Sequence, residues 1–176
     1  TNRSPRGATR TPGRTGRVPA VWDGYPGDMD DRSRETARAA VRRYGRTYAE
    51  EAGIRLADRP APLYQLLVLS TLLSTRISAS IAVAAARELY AAGYRTPRAM
   101  REATWQDRVD ALGRGHYRRY DERTATMLGD GAALCLSKWH GDLRRLHREA
   151  GRDLRVLRRL LTEFPGIGPI GADIYL

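Results

Sequence analysis

The sequence contains very little cysteine, lysine or phenylalanine. Among its 176 residues, Cys135, Lys138 and Phe164 are each the only residue of their type. A single cysteine excludes an intrachain disulfide, and it excludes a zinc or iron–sulfur site built from cysteines of this chain alone. We therefore expect no metal or cofactor in this chain, and a cytoplasmic, reducing location.

Long apolar runs and strand-like patterns are also missing. No run approaches the roughly 20 apolar residues that a helix needs to cross a bilayer, and no signal-peptide segment follows the N-terminus. No segment alternates apolar and polar residues over a useful length, as a half-buried strand would. The expectation is an all-α fold with no membrane partner.

Positive charge is abundant. The formal net charge is +11, and 30 of the 31 basic residues are arginines. Clustered arginines form bidentate hydrogen bonds to phosphate and release its counterions, so this balance favours a polyanionic partner. A GC-rich coding bias would produce the same arginine excess, so charge alone decides little.

The chain divides into a basic arm and one helical domain. Residues 1–31 are rich in Arg, Gly, Pro and Thr and nearly lack aliphatic side chains. They cannot bury enough apolar surface to offset the entropy lost on ordering, so we predict a disordered arm over residues 1–31. Either the arm contacts phosphate without specificity, or it is a passive tail. Residues 32–176 form a single domain.

Helical signals follow one another from Ser33. An apolar stripe predicts one helix that ends at Gly53, and "LYQLLVLSTLL" predicts a core helix that is apolar on every side. Eight or so short helices are expected in all. Residues that favour N-cap positions precede the later ones: Ser78, Thr96, Thr104, Asp142 and Asp153.

The segment "FPGIGPIGADIYL" predicts a helix, a tight hairpin and a second helix. Pro165 opposes continuation of the first helix, and the two glycines permit left-handed or crowded backbone. The N–H groups at the start of the second helix would then face outward and bind a phosphate. The predicted DNA contacts of this hairpin are made by Gly166, Ile167, Gly168, Pro169 and Ile170.

Three segments, in this order along the chain, resemble the helix-hairpin-helix DNA glycosylase superfamily of the endonuclease III type. "LLVLSTLLSTRISAS" resembles its early core helix, with Arg76 in place of the glutamine that fills the gap left by a flipped base. "LGRGHYRRYDERTATM" resembles its Gly-x-Tyr stretch, with Gly115 and Tyr117 as counterparts, and the hairpin resembles its Leu-Pro-Gly-Val-Gly motif. The likeness spans about residues 35–176 and implies a glycosylase-type helical domain.

The resemblance also implies a function. Ile170 occupies the position of the catalytic lysine of bifunctional members, so a monofunctional enzyme is implied, which hydrolyses the N-glycosidic bond of a damaged or mismatched base. The family's catalytic aspartate would lie beyond Leu176, so we expect no catalytic residue within the chain and a fold incomplete at the C-terminus. An iron–sulfur cluster would need cysteines after Leu176. The implied partner is double-stranded DNA, bound by a nucleoid-associated monomer.

Other residues are weaker candidates for DNA contact. Arg76 is predicted to act as a wedge, and the remaining candidates are Arg114, Tyr117, Arg118, Arg119 and Tyr120, with the tyrosines stacking on bases. Exposed arginines and half-buried tyrosines without a function fit the same pattern. We expect the histidines and Asp173 at the surface, Cys135 buried as a small apolar residue, Trp105 and Trp139 as core or cap residues, and Lys138 in a loop-like stretch as a solvated charge.

Two alternatives to the enzyme remain. The first is a non-catalytic DNA-binding module that uses the same hairpin for shape and phosphate contact. The second is an all-α interaction domain in which Gly-Ile-Gly is only a turn.

Overall fold

The computed structural model describes residues 35–36, 38–40 and 45–176. Within these residues the regular structure is helical and contains no strand, which confirms the all-α prediction. None of these helices is long and apolar enough to span a membrane. The predicted arm over residues 1–31 lies outside the described residues.

Helical residues 35–36 and 38–40 precede nine helices that follow one another from residue 48 onward in the described chain. Their bounds are α1 (Tyr48–Glu51), α2 (Pro60–Leu73), α3 (Ala79–Ala91), α4 (Pro97–Glu102), α5 (Trp105–Arg114), α6 (Asp121–Trp139), α7 (Leu143–Ala150), α8 (Leu154–Leu161) and α9 (Pro169–Tyr175).

The predicted helix from Ser33 to Gly53 is not continuous. Residues 45–47 are not helical, and Gly45 has a φ of 87°, in the left-handed region that interrupts a helix. Thr47 then starts α1 with a capping box: its hydroxyl accepts from the Glu50 amide at 3.2 Å, and its own amide donates to the Glu50 carboxylate at 3.0 Å. The prediction was wrong because a local cap competes with the apolar stripe; Ala37, Val41 and Tyr44 of that stripe lie outside the described residues.

Most of the predicted N-caps are confirmed. The side chains of Thr96, Thr104, Asp142 and Asp153 each accept a hydrogen bond from a backbone amide of the first turn that follows. Ser78 occupies the N-cap position of α3 without such a bond, and its hydroxyl lies 3.1 Å from that of Ser80. The caps therefore set where the short helices of the second half begin.

Two helices organise the core. The predicted all-round apolar helix, α2, packs against α3, α7 and α9 and buries residues on several sides, among them Tyr64, Leu69 and Leu72. The longest helix, α6, packs against α4, α5 and α7 and buries Cys135 and Trp139. The space between the N-terminal half of α6 and the end of α2 is where the candidate site lies.

A buried arginine of α5 connects this helix to α4 and α6 by hydrogen bonds. Arg108 is only 6% exposed, and it donates to the carbonyl oxygens of Met100 at 3.0 Å, Ala103 at 2.7 Å and Ala125 at 2.8 Å. Burial, with the nearby Arg101 charge, lowers the pKa of Arg108 from its usual value. Gly129 makes room for it, because a Cβ there would lie 2.7 Å from the Arg108 Nη2 atom.

The end of α5 touches α3 backbone to backbone. A Cβ on Gly115 would lie 2.4 Å from the Ala85 Cα atom, so no side chain fits at this contact. The next residue, His116, has a φ of 63°, and the Tyr117 amide donates to the Leu112 carbonyl at 3.0 Å. This turn directs residues 117–120 toward the end of α2.

Candidate functional site

A cleft of about 260 Å³ opens where three segments of the fold meet. These segments are the exit of α2, one face of the N-terminal half of α6, and the turn that precedes α9. The lining residues are Ser74, Thr75, Arg76, Tyr120, Arg123, Thr124, Met127 and Gly166. Among the described side chains that line the cleft there are two arginines and no carboxylate.

The exit of α2 supplies the first wall. Ser74 ends the helix as its C-cap, and its hydroxyl donates to the Ser70 carbonyl at 2.6 Å. Thr75 and Arg76 follow outside the helix, and the Ile77 amide donates back to the Thr75 carbonyl at 2.8 Å. Arg76 is exposed at the mouth of the cleft, and it forms no ion pair with any of the described carboxylates.

A buried tyrosine beneath the cleft connects the exit of α2 to α6 by hydrogen bonds. The Tyr117 hydroxyl lies 2.7 Å from the Thr75 hydroxyl and accepts from the Thr124 hydroxyl at 3.4 Å. The side chains of Thr75 and Thr124 both line the cleft. Tyr117 thus holds the exit of α2 against the start of α6 from beneath.

The burial of Tyr117 contradicts the prediction that it stacks on a base. Its side chain is 0% exposed, so no face of its ring is open to a nucleic acid. Of the two tyrosines, only Tyr120 lines the cleft, where it is half-buried. Tyr117 acts on the site through the threonines that it positions.

The first two turns of α6 supply the second wall. Tyr120, Arg123, Thr124 and Met127 recur at the i, i+3, i+4 and i+7 spacing of one helix face. The Arg119 guanidinium lies 5.3 Å from the centre of the Tyr120 ring, within cation–π range. Arg118, Arg119 and Arg123 are exposed, and the described part of the chain offers them no ion-pair partner.

The predicted hairpin closes the third side. Gly166 has a φ of 84°, and the Ile167 amide donates to the Phe164 carbonyl at 3.0 Å, as in a type II turn with proline and glycine at its centre. Phe164 stacks on Trp139 of α6 with ring centres 5.3 Å apart. A Cβ on Gly166 would lie 2.9 Å from the Met127 sulfur, so the turn backbone rests directly on α6.

The predicted hairpin contacts fall into two groups. The Ile167 side chain is buried, so only its backbone is available to a ligand. Gly168, Pro169 and Ile170 are exposed, and Ile170 is 73% exposed. A Cβ on Gly168 would meet no atom within 4 Å. Of the two glycines, Gly166 serves the packing of the turn, and Gly168 leaves its outer surface open.

Several other candidates lie outside the cleft lining. Arg114 pairs with Glu88 at 3.1 Å, and Asp173 pairs with Arg158 on the surface of α8 and α9. Lys138 lies in the last turn of α6, where it pairs with Glu163 at 2.5 Å, so the prediction of a loop-like stretch was wrong. Its amine also lies 4.8 Å from the centre of the Trp139 ring.

Burial shifts the pKa of two titratable groups, Cys135 and His147. Cys135 is buried as predicted, and burial raises the pKa of its thiol to about 12, so it is not a thiolate nucleophile at neutral pH. His147 is half-buried, with Nε2 3.0 Å from the Tyr175 hydroxyl, and burial lowers its pKa. The prediction of surface histidines is wrong for His147, because the amphipathic pattern of α7 does not reveal that α9 covers it.

The sequence reasoning missed five of the residues that line the cleft: Ser74, Thr75, Arg123, Thr124 and Met127. The helical spacing from Tyr120 to Met127 was a usable signal, because it places the latter three on the same face as a residue already predicted to contact DNA. The described residues bring no three side chains of His, Cys, Asp or Glu together as a metal site would require.

Comparison with models of known families, with curated proteins and with solved structures finds no match for this chain. The likeness to the glycosylase superfamily therefore rests on the three motifs and stays a prediction.

Proposed function

We propose that this chain is the DNA-binding, base-extruding domain of a monofunctional helix-hairpin-helix DNA glycosylase. It would bind double-stranded DNA and receive a damaged or mismatched base for hydrolysis of its N-glycosidic bond. One observation carries the proposal. Residues of all three segments that resemble the family line a single cleft: Thr75, Tyr120 and Gly166.

The charges around the cleft support DNA as the partner. Arg76 and Arg123 line it, and Arg118 and Arg119 flank the tyrosine at its edge; none of the four is neutralised by a described carboxylate. Unpaired guanidinium groups are free to bind phosphate oxygens in bidentate geometry. The exposed backbone around Gly168 adds a surface that a DNA strand can approach closely.

A second candidate is the non-catalytic DNA-binding module. Hydrolysis of a glycosidic bond with an oxocarbenium-like transition state calls for a carboxylate near the sugar, and none of the described residues that line the cleft carries one. Ile170 offers no amine in place of the family lysine. The enzyme proposal therefore requires a carboxylate from outside this cleft lining, whereas the binding module does not.

The first experiment measures duplex binding by the chain as a function of salt. We expect the logarithm of the association constant to fall steeply with the logarithm of salt concentration, with a slope of about −0.9 per phosphate neutralised. Absence of duplex binding at low salt would overturn both DNA proposals and leave the interaction domain.

Substitution at Gly168 tests the hairpin without disturbing the fold. Its φ of −91° and ψ of −172° suit other residues, and no atom lies near its Cβ position. Gly168→Val should weaken duplex binding by holding the DNA backbone away, whereas Gly168→Ser, a favourable N-cap, should bind as well as the unchanged protein. Gly166 is unsuitable for this test, because any side chain there also collides with Met127.

Single-turnover incubation separates the enzyme from the binding module. The chain, and any natural extension of it, is incubated with duplexes that carry uracil, thymine opposite guanine, oxidised pyrimidines or alkylated purines, and alkali then reveals abasic sites. Release of a base supports the glycosylase. Duplex binding without release by either protein supports the non-catalytic module.

A further inference from the structure

The contacts of the three hydroxyl groups beneath the cleft, those of Thr75, Tyr117 and Thr124, show which of them donates to which. The Thr75 hydroxyl donates to the Leu72 carbonyl at 2.9 Å, so it must accept from Tyr117, whose oxygen lies 2.7 Å away. The Tyr117 hydroxyl in turn accepts from Thr124. Each hydroxyl has one proton, and the protons of Thr124, Tyr117 and Thr75 are all used within this chain of bonds.

Few donors remain for a ligand. Ser74 also spends its proton on a backbone carbonyl. The side-chain donors left along the cleft are the guanidinium groups of Arg76 and Arg123, together with the Tyr120 hydroxyl, which can donate or accept. Because the lining side chains in the described part of the chain include two positive charges and no carboxylate, the cleft attracts oxygen acceptors and repels a cation.

The size of the cleft limits the ligand. At about 260 Å³ it lies just below the range of roughly 300–1,000 Å³ that is usual for pockets that enclose drug-sized ligands. The side chains of Met127 and Tyr120 give its walls apolar surface against which a ring can pack. A single base fits these limits better than a larger group.

We infer that the cleft selects extruded bases that are uncharged or anionic and that present carbonyl oxygens to Arg76 and Arg123, and that it rejects cationic alkylated bases. The inference rests on the proposed function, because it specifies the class of base that the same cleft receives. Uracil represents the accepted class, with two carbonyl groups. The cationic base 3-methylcytosine represents the rejected class at nearly the same size.

The experiment compares three duplexes that differ at one position opposite guanine: uracil, 3-methylcytosine and a tetrahydrofuran abasic analogue. We expect the uracil duplex to bind about 10-fold more tightly than either of the others, which corresponds to one charge-assisted hydrogen bond. The uracil–guanine pair is the harder one to open, because 3-methylation blocks pairing. A preference for uracil therefore cannot come from easier extrusion.

Arginine variants connect the preference to the cleft. Arg123→Gln and Arg76→Gln should each move the ratio of uracil to 3-methylcytosine affinity toward one. Arg87→Gln, which removes an exposed charge on α3 outside the cleft lining, should lower both affinities alike and keep the ratio. Circular dichroism and thermal melting identify a variant that has lost its fold. If one cleft variant is lost in this way, the affinity ratio of the other cleft variant tests the inference.

The outcomes are distinct. Failure of all three duplexes to bind overturns the proposed function and this inference with it. Binding with equal affinity for uracil and 3-methylcytosine, or a ratio unchanged in both cleft variants, overturns the inference alone. If uracil and the abasic analogue bind with equal affinity, and Arg123→Gln weakens binding of both duplexes, the cleft holds a backbone phosphate. That result also overturns the inferred selection of the base.

Discussion

Arg108 packs against one face of α6, and Arg123 projects from a nearly opposite face of the same helix. The two arginines differ in burial and in hydrogen-bond partners. Arg108 is buried, and it saturates three carbonyl oxygens of α4, α6 and the turn between α4 and α5. Arg123 is exposed at the edge of the cleft, without an ion-pair partner among the described residues. One holds helices together, and the other has bonding capacity left for a ligand.

The difference shows why arginine content alone is ambiguous. A guanidinium group surrounded by carbonyl oxygens contributes to folding and adds little to an outward-facing field. Only the arginines that remain unpaired at the surface bear on a polyanionic partner. The net charge of +11 therefore mixes two uses of the same residue type, which the structure separates.

Arg108→Met should produce the largest effect and tests the structural half of this comparison. It removes three hydrogen bonds from a buried charged donor to backbone carbonyl oxygens, so the free energy of unfolding should fall by about 3 kcal/mol. Urea denaturation followed by circular dichroism measures it. A loss below about 1 kcal/mol would mean that Arg108 is replaceable by apolar packing.

A pair of glycine variants within α6 also tests whether Arg108 is fixed in place by its packing. Gly131→Ala meets only an ordinary contact, 3.7 Å from Phe164, and should stabilise the helix by up to about 1 kcal/mol. Gly129→Ala gains the same helix propensity but presses on the bound Arg108 guanidinium, so it should be about 1–2 kcal/mol less stable than Gly131→Ala. Thermal melting of the two variants side by side decides; equal stability would show that Arg108 can move aside.

The cleft arginines should have the smallest effect on stability. Arg76→Gln and Arg123→Gln remove exposed side chains without an ion pair, so the free energy of unfolding should change by no more than about 0.5 kcal/mol. Each should instead lower the ratio of uracil to 3-methylcytosine affinity and leave the salt slope of duplex binding nearly unchanged, because these two guanidinium groups contact base carbonyls and not phosphates. Stability loss above 1 kcal/mol in either variant would place that arginine in the structural class with Arg108.

The parts of the fold that depend on local chemistry could be predicted from the sequence. The N-caps Thr96 and Thr104 and the turn at Pro165–Gly166 depend on a few adjacent residues, and all three are confirmed. The break at Gly45 was missed because the apolar period continues across it. Periodicity responds to burial and carries no information on the backbone angle of one residue.

The candidate site could be predicted only in part. The hairpin and the exit of α2 stand out in sequence because their glycines, prolines and hydroxyl residues are unusual in a helical chain. The burial of Tyr117 could not be predicted, since it follows from how residues 116–120 cross the end of α2, far away in sequence. Helical spacing places Arg123 and Thr124 on the same face as Tyr120, but the sequence does not show that this face borders a cleft, because the turn at Gly166 reaches it from a distant part of the chain.

The contact at Gly115 limits how the sequence of this protein can vary. Since the α5 backbone lies against Ala85 with no space for a carbon atom, any other residue at 115 would force α3 and α5 apart and tilt the segment that carries Tyr117 to Tyr120. Gly113, two residues earlier, has open space around it and no such restriction. Relatives that share this cleft are therefore expected to vary at 113 and to keep glycine at 115, so this one position can serve as a marker when distant sequences are searched for the same architecture.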